Sequence, residues 1–195
     1  ILELVTKGHD IQLHLHPHWL DAKYENNQWV FTYERFKLHN LSFENNPEDI
    51  NTVIGCIYIA KKMMENFIRT VNPSYNVTTY RAGGYLIEPF NEIKDALSKN
   101  GIRIDSSVCP NLHNSAGLFS YDFCFYPNKL KYNFELTPKE IEKAGSFIEI
   151  PIATVKIPIF YNLFFKFLSK TKYSHIESER KGSGTGEYFQ KSEKN

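Results

Sequence analysis

Residues 8–19 read "GHDIQLHLHPHW", and this stretch decides which fold the chain can adopt. From Ile11 onward apolar and polar residues alternate with a period of two, which predicts a β-strand with one apolar face. The other face carries the imidazoles of His14 and His16. Pro17 cannot continue the strand and keeps the residue before it extended, so the chain turns there. The stretch therefore predicts a strand that ends among histidines.

The surrounding segments predict an α/β protein. A helix is expected after Asn46 and Pro47, a capping residue and a residue favoured at the first helical position. A second amphipathic helix ends at Gly101. The further predicted strands cover residues 76–82, 102–108 and 147–155. Alternating strands and helices are typical of a parallel α/β sheet.

The remaining segments suggest how the chain is divided. Residues 20–36 are polar with scattered aromatic residues and predict a hairpin or a long loop. Residues 157–168 are strongly apolar and predict a buried helix, with a membrane-surface role as the alternative. We expect one domain over residues 1–169, followed by a polar, Gly- and Ser-containing tail over residues 170–195 that is disordered or a severed loop.

Composition narrows the range of functions. The 195 residues carry a formal net charge of +1, which gives no electrostatic case for binding nucleic acid. No apolar run reaches the length of about 18 residues that a membrane span needs. The three cysteines show no metal-binding spacing and favour a reducing compartment, although the sequence fixes neither localisation nor oligomeric state. The aromatic share of 15% suits a sugar-stacking surface or an aromatic core.

Two of the histidines have a spacing that suits a metal site. His14 and His18 are four residues apart, so both imidazoles can reach one cation. They lie at the predicted carboxyl end of a strand, where ligand sites gather in parallel α/β proteins. His16 is expected to line the pocket or to act as a third ligand, and His9 is a bystander. The alternative is that these histidines are simply solvated or hydrogen-bonded within the core.

Arg81 lies at the carboxyl end of the next predicted strand, where a ligand site is likewise expected. It is followed by Gly83 and Gly84, which let backbone approach a ligand closely and can present amides to an oxyanion. The alternative is a surface arginine beside a glycine turn.

Asp105 ends a third predicted strand. Its carboxylate can pair with Arg81 or orient a histidine. The alternative is a turn cap, which the neighbouring Ser106 and Ser107 support.

These features together resemble the polysaccharide deacetylases of the NodB-homology type. "GHDIQLHLHPHW" is similar to the motif in which a Gly-His-acid-Ile strand leads to two metal-binding histidines, here His14 and His18. "YRAGGY" is similar to the motif whose arginine, here Arg81, holds the catalytic aspartate. The family usually has proline and an aromatic residue after that arginine, so "RAGG" indicates a divergent branch.

Two later strands extend the resemblance to about residues 1–155. "GIRIDSSV" resembles the next strand of that branch, with Asp105 as its acidic member and a catalytic residue. "FIEIPI" resembles a later strand, with Glu149 near its end.

The resemblance implies a fold and an activity. The fold would be an incomplete, distorted parallel β/α barrel. The activity would be removal of N-acetyl groups from an amino sugar or a polysaccharide, with a divalent metal that polarises the acetyl carbonyl and acidifies a water molecule. Zinc is the expected metal, and two imidazoles suit cobalt and nickel as well. The implied partner is a carbohydrate, and the expected substrate-binding residues are His16, Trp19, Gly83, Gly84 and Tyr85.

Two motifs of that family have no match in the sequence. An Asp-Asp pair, which supplies the general base and a third ligand, is expected upstream of Ile1. A Leu-x-His that supplies the general acid has no clear counterpart, since His175 lacks the expected preceding leucine. We therefore expect a fragment of a catalytic domain that is inactive in isolation.

Two other functions remain open. One is a catalytically degenerate glycan-binding module, with Trp19, Trp29 and Tyr85 as stacking platforms. The other is a structural domain whose histidines serve only a response to pH.

Overall fold

The computed structural model describes residues 1–115, 117, 119–154, 160, 163, 164 and 167. Residues Ile1–Ala153 form one compact unit, and Thr154–Asn195 form a second. Most of the predicted apolar helix over residues 157–168, and the whole predicted tail over residues 170–195, lie outside the described residues. No helix among the described residues is both long and apolar enough to cross a membrane.

The described part of residues 1–153 contains three α-helices, four short 3₁₀ helices and nine short strands. The α-helices are α1 (Leu2–Thr6), α2 (Val53–Ile68) and α3 (Phe90–Lys99). The strands are β1 (Leu13–Leu15), β2 (Lys23–Glu25), β3 (Gln28–Val30), β4 (Thr79–Ala82), β5 (Ile104–Asp105), β6 (His113–Asn114), β7 (Tyr121–Asp122), β8 (Tyr132–Phe134) and β9 (Phe147–Glu149).

The main sheet has five strands in the order β1-β4-β5-β9-β8. The first four are parallel, and β8 pairs antiparallel with β9. The predicted α/β class is therefore confirmed, with a mixed and mostly parallel sheet. No closed barrel is detected among the described strands, so the barrel stays a prediction.

Strand β1 forms where the alternation of the sequence predicted it. Leu13 and Leu15 are buried, while His14 between them is exposed. Gly8, with a φ of +85°, leads the chain out of α1 in a conformation that other residues rarely adopt. Gly8 therefore allows the turn from α1 to the segment that leads into β1.

Helix α2 begins seven residues after the predicted cap, at Val53. The side chain of Asn46 instead accepts a hydrogen bond from the amide of Glu48, which forms a local turn. The helix is capped by Thr52, whose hydroxyl oxygen accepts from the amide of Gly55. The prediction of Asn46 as the cap was wrong because its polar side chain closes a turn and not a helix.

The core lies between the sheet and the helices. Phe90 of α3 packs edge-on against Phe134 and Phe147, with ring centroids 4.7 and 4.9 Å apart. All three rings are almost fully buried. Apolar burial on this scale is the main source of stability for the unit.

Two antiparallel hairpins lie outside the main sheet. The β6–β7 hairpin was not predicted. The β2–β3 hairpin confirms the hairpin alternative for residues 20–36, and its turn residues Asn26 and Asn27 have φ values of 50° and 63°. Asparagine tolerates this left-handed region better than most residues, which suits a two-residue turn.

Candidate functional site

The carboxyl ends of the parallel strands bring the predicted residues to one edge of the sheet. His14 lies directly opposite Arg81 in the pairing of β1 with β4. Asp105 lies opposite Tyr80 and opposite Glu149 in the next two pairings. Because partners in a sheet share a face, Asp105 and Arg81 point to opposite faces.

The imidazole of His14 is oriented by the backbone of its neighbouring strand. Its Nδ1 lies 3.1 Å from the carbonyl oxygen of Arg81, and a carbonyl only accepts, so Nδ1–H is the donor. In the neutral ring, Nε2 then carries the lone pair. His16 Nε2 lies 3.1 Å from that atom and donates its proton to it. The contact fixes the tautomers of both rings, in the manner usual for metal-binding histidines.

The electrostatics of the cluster favour neutral imidazoles. Removal from water lowers the pKa of His14, and the guanidinium of Arg81 lowers it further, against the opposing effect of the hydrogen bond to the backbone. Burial, with the added repulsion of His14 and His18, lowers the pKa of His16 to about 4. A neutral imidazole can bind a metal ion and a protonated imidazole cannot. The lowered pKa values therefore keep these rings available as metal ligands at neutral pH.

His18 lies in the short 3₁₀ turn Pro17–Trp19 that follows β1. Its side chain is buried, and its Nδ1 has no hydrogen-bond partner in the described part of the chain. The rings of Phe31 and Tyr33 lie with their centroids 5.9 Å away. Burial lowers the pKa of His18, although the nearby carboxylate of Asp21 opposes the shift. A buried ring nitrogen without a partner costs free energy, which a bound water molecule or a ligand at this position would offset.

His16 lies between the two predicted metal ligands. Its ring stacks on Trp19, with centroids 4.4 Å apart, and contacts His14 and His18 at 4.8 and 5.6 Å. The structure therefore places the three imidazoles in one continuous group, with His16 nearest to the Nε2 atom of His14. It does not bring His14 and His18 into direct ring contact.

The two glycines after β4 pack tightly against the protein. A side chain at Gly83 would place its Cβ 2.6 Å from Nδ1 of His16 and 2.8 Å from the carbonyl oxygen of Leu15. Gly84 has a φ of +62° and faces the ring of Phe119. Gly83 is therefore required by the close approach of His16, and a role toward substrate for Gly83, Gly84 and Tyr85 stays a prediction.

Arg81 donates hydrogen bonds to the turn after β5. Its Nε donates to the carbonyl oxygen of Ser106 at 2.8 Å, and its Nη2 donates to the Ser106 hydroxyl at 2.9 Å. Two of the five donors of the guanidinium are thereby used, and the group itself is exposed at the sheet edge. The predicted pairing of Arg81 with Asp105 is not formed.

Asp105 serves the turn that follows β5. Its carboxylate accepts hydrogen bonds from the hydroxyl of Ser107 at 2.6 Å and from the Ser107 amide at 3.2 Å. This is the turn-cap alternative that the serines indicated. Burial raises the pKa of Asp105, and burial together with the Asp105 charge raises the pKa of Glu149 well above its ordinary value. The two buried carboxyl groups form a structural pair under the sheet edge.

Sequence reasoning missed the residues that enclose His18. Phe31 and Tyr33 contact its ring, and Arg35 fixes the same segment by bonding to Asp21 and to the carbonyl oxygen of Ile50. Arg35 is buried, which its sequence context did not indicate. The one available signal was the spacing of two between Phe31 and Tyr33 within the segment predicted as a hairpin or a long loop.

No group of three or more His, Cys, Asp or Glu side chains that could hold a metal ion is found among the described residues. Comparisons with protein-family models, with curated proteins and with solved structures found no match to this chain. The resemblance to polysaccharide deacetylases therefore rests on the motifs of the sequence.

Proposed function

We propose that this chain carries part of the site of a metal-dependent hydrolase that removes N-acetyl groups from an amino sugar or a polysaccharide. The observation that carries the proposal is the approach of the Nε2 atoms of His14 and His16 to 3.1 Å, which a metal ion could bridge once His16 carries its proton on Nδ1 in place of Nε2. Two nitrogen ligands of one tetrahedral zinc ion, each at about 2.1 Å, lie about 3.4 Å apart. The present separation is within a few tenths of an ångström of that spacing.

The chemistry of the donor set supports a borderline metal such as zinc. His14 is held in the tautomer that directs its Nε2 lone pair away from the backbone, and His18 retains a buried, unpartnered Nδ1 in the described structure. His14 with His18, as the resemblance implies, or His14 with His16, as the distance favours, would supply two of the ligands. The resemblance also implies a carboxylate ligand and a general base, for which the sequence contains no matching Asp-Asp motif.

The surrounding residues have roles that follow from their contacts. A bound divalent metal supplies a Lewis acid that polarises the acetyl carbonyl and lowers the pKa of a water molecule. Arg81 keeps donors of its guanidinium at the sheet edge, where it can orient a carboxylate. Trp19 stacks on His16 and the residue is 59% exposed, so its indole can also contact a sugar ring.

Zinc titration of the purified chain by calorimetry tests the site. Wild type is expected to bind one zinc ion, and His14→Ala is expected to weaken zinc binding at least about tenfold. Loss of a residue that only orients a ligand already lowers metal affinity by about that factor, and loss of the ligand itself lowers it more. Comparing His16→Ala with His18→Ala identifies the second ligand. His9→Ala is the matched control, since His9 lies outside the group. Unchanged zinc binding in His14→Ala would remove the basis of the proposal.

A second candidate is a glycan-binding module without catalysis. It is favoured by the lack of a three-residue metal group among the described side chains and by the exposure of Trp19. Acetate release from an N-acetylglucosamine tetramer separates the two functions when measured on a polypeptide that also supplies the carboxylates. Zinc-dependent release supports the hydrolase, and sugar binding without release supports the module.

A further inference from the structure

A small cavity lies between the turn after β4 and the hairpin of β6 and β7. It has a volume of about 70 Å³. Its walls include four aromatic rings and two carboxylates, which together we call the aromatic cage: Tyr85, Tyr121, Phe123, Tyr126, Glu88 and Asp122. One water molecule needs about 10–15 Å³, so the aromatic cage has room for a group of about five atoms other than hydrogen.

The four rings contact one another in sequence around the cavity. Tyr85 meets Tyr121 with centroids 5.1 Å apart and an angle of 60° between the rings, and Phe123 meets Tyr126 at 4.9 Å and 85°. Tyr121 and Phe123 stack with centroids 5.6 Å apart. Phe123 is almost fully buried and the three tyrosines are half-buried, so these rings wall a recess and differ from the aromatic side chains exposed elsewhere on the surface.

Glu88 gives the aromatic cage a negative charge that has no cation in contact with it. Its Oε1 accepts hydrogen bonds from the hydroxyls of Tyr126 at 3.0 Å and Thr137 at 2.6 Å. Its Oε2 accepts from the amide of Phe90 at 2.7 Å. All three donors are neutral, and no ion pair of Glu88 is found in the described part of the chain, although Lys37 lies near enough to be influenced by its charge. A cation bound beside this half-buried carboxylate would stabilise it.

Asp122 supplies a second carboxylate on the exposed side of the aromatic cage. It accepts a hydrogen bond from the amide of Cys124 at 2.9 Å. The hydrogen bonds with Cys124, and to a smaller extent the nearby His113 and Lys139, lower the pKa of Asp122. Asp122 is therefore charged but partly balanced by its own surroundings, and the main attraction for a cation is expected from Glu88.

The walls of the aromatic cage select among cations. The faces of aromatic rings attract positive charge but accept hydrogen bonds only weakly. An ammonium group with N–H donors would lose its hydrogen bonds to water there without regaining them. A quaternary ammonium has no N–H donor, and its nitrogen with four attached carbons has the number of atoms for which the aromatic cage has room.

We propose that the aromatic cage binds the trimethylammonium group of a cationic ligand such as choline. The site uses neither the histidines nor Arg81, so this inference is independent of the proposed hydrolase. Tyr85 is the one residue that the aromatic cage shares with the predicted sugar-binding residues.

Titration of the purified chain with choline chloride, followed by the amide signals of Tyr121 and Phe123 in NMR spectra, tests this inference. Choline is expected to saturate these shifts with a dissociation constant of about 1 mM or lower. The neutral alcohol in which a carbon atom replaces the nitrogen of choline is expected to bind at least about tenfold more weakly. It has the same shape but lacks the charge that the rings and Glu88 attract.

Variants separate the contribution of the rings from that of the charge. Tyr121→Leu is expected to raise the dissociation constant of choline about tenfold, whereas Tyr121→Phe, which keeps a ring, retains most of the affinity. Glu88→Gln keeps the shape of the side chain, removes its charge and is expected to raise the dissociation constant about fivefold. Phe125→Leu is the matched control, because Phe125 belongs to the same segment, is 83% exposed and does not line the cavity.

Each remaining outcome has one meaning. Equal affinity for choline and the neutral alcohol, no saturation by about 20 mM choline, or affinity that Tyr121→Leu and Glu88→Gln both leave unchanged overturns the inference. If Tyr121→Leu loses its folded spectrum, Glu88→Gln decides alone. Trimethyl-lysine carries the same group: tighter binding of trimethyl-lysine identifies a modified protein side chain as its source, tighter binding of choline identifies a small molecule, and both results support the aromatic cage.

Discussion

The carboxyl edge of the main sheet has two ends, and they differ in the hydrogen-bond partners of their polar side chains. At one end, Asp105 and Glu149 are fully buried, and the amide and hydroxyl of Ser107 bond to Asp105. At the other end, His14 is exposed and its Nε2 is 3.1 Å from the Nε2 of His16, another imidazole. Both ends carry titratable side chains at equivalent positions of parallel strands.

The difference teaches that position at the carboxyl end of a strand does not by itself define a reactive group. Asp105 and Glu149 lie where ligands gather in α/β folds, yet the chain encloses them and uses them to hold the following turn. The histidines lie at the edge strand β1, beside exposed aromatic rings. Chemistry is expected at the histidine end, and stability is expected to depend on the carboxyl end.

The largest effect is expected from Glu149→Ala. This change removes a fully buried side chain and the acceptor that lies 3.2 Å from the amide of Val108. We expect a loss of about 3 kcal/mol in the free energy of unfolding, from the cavity and the unpaired donor. Urea unfolding followed by circular dichroism measures it. A loss below about 1 kcal/mol would show that the carboxyl end is not the structural end.

The second effect is expected in the pH dependence of the free energy of unfolding, and it is measured by comparing wild type with Glu149→Gln. Folding raises the pKa of Asp105 and of Glu149 above their ordinary values of 3.8 and 4.5, so the folded protein holds protons that the unfolded chain releases. The free energy of unfolding therefore falls as pH rises above about 4.5, by at most about 1.4 kcal/mol per pH unit for one proton. Glu149→Gln removes one titrating group and is expected to become the more stable protein toward alkaline pH.

The histidines act in the opposite direction, over a range that overlaps that of the carboxyl pair below about pH 6.5. Folding lowers the pKa values of His14, His16, His18 and His39 below 6.5, which makes stability rise with pH up to about that value. Subtracting the free energy of unfolding of Glu149→Gln from that of wild type removes the histidine contribution, since both proteins contain the same histidines. If the two free energies of unfolding differ by the same amount at every pH from 5 to 9, the raised pKa of the carboxyl pair is contradicted.

A smaller effect is expected at the histidine end from Gly83→Ala. The new Cβ would lie 2.8 Å from the backbone oxygen of Leu15, which cannot move aside as easily as a side chain. We expect a loss of about 2 kcal/mol and a displaced His16. Gly117→Ala is the control, because nothing lies within 4 Å of its Cβ and only its φ of +71° opposes the change. Equal losses in the two variants would mean that the contact with His16 is not tight.

Local patterns predicted much of the fold. Alternation between Leu13 and Leu15 identified the buried face of β1, and Gly101 marked the end of α3, where its φ is +73°. The start of α2 was wrong because Asn46 can cap a helix or close a turn, and the choice depends on the later contact of Thr52 with the carbonyl of Asn46.

The site was harder to predict because its contacts join distant residues. The spacing of His14 and His18 drew attention to the correct strand end. The pairing of Asp105 with Glu149, and the separation of Asp105 from Arg81, depend on the register of strands more than 20 residues apart, which no local pattern encodes. The same holds for the approach of His14 to the carbonyl of Arg81.

The hydrogen bond from His14 to the main-chain carbonyl of Arg81 determines which mutations can change the orientation of His14. Every amino acid carries the same main-chain oxygen, so no substitution at position 81 deletes the acceptor that fixes the proton of His14. An insertion or deletion within β1 or β4 would instead shift the register and remove it. In a mutational library, the orientation of His14 should therefore tolerate all replacements of Arg81 that keep β4 paired, and should be lost with a single-residue deletion beside it.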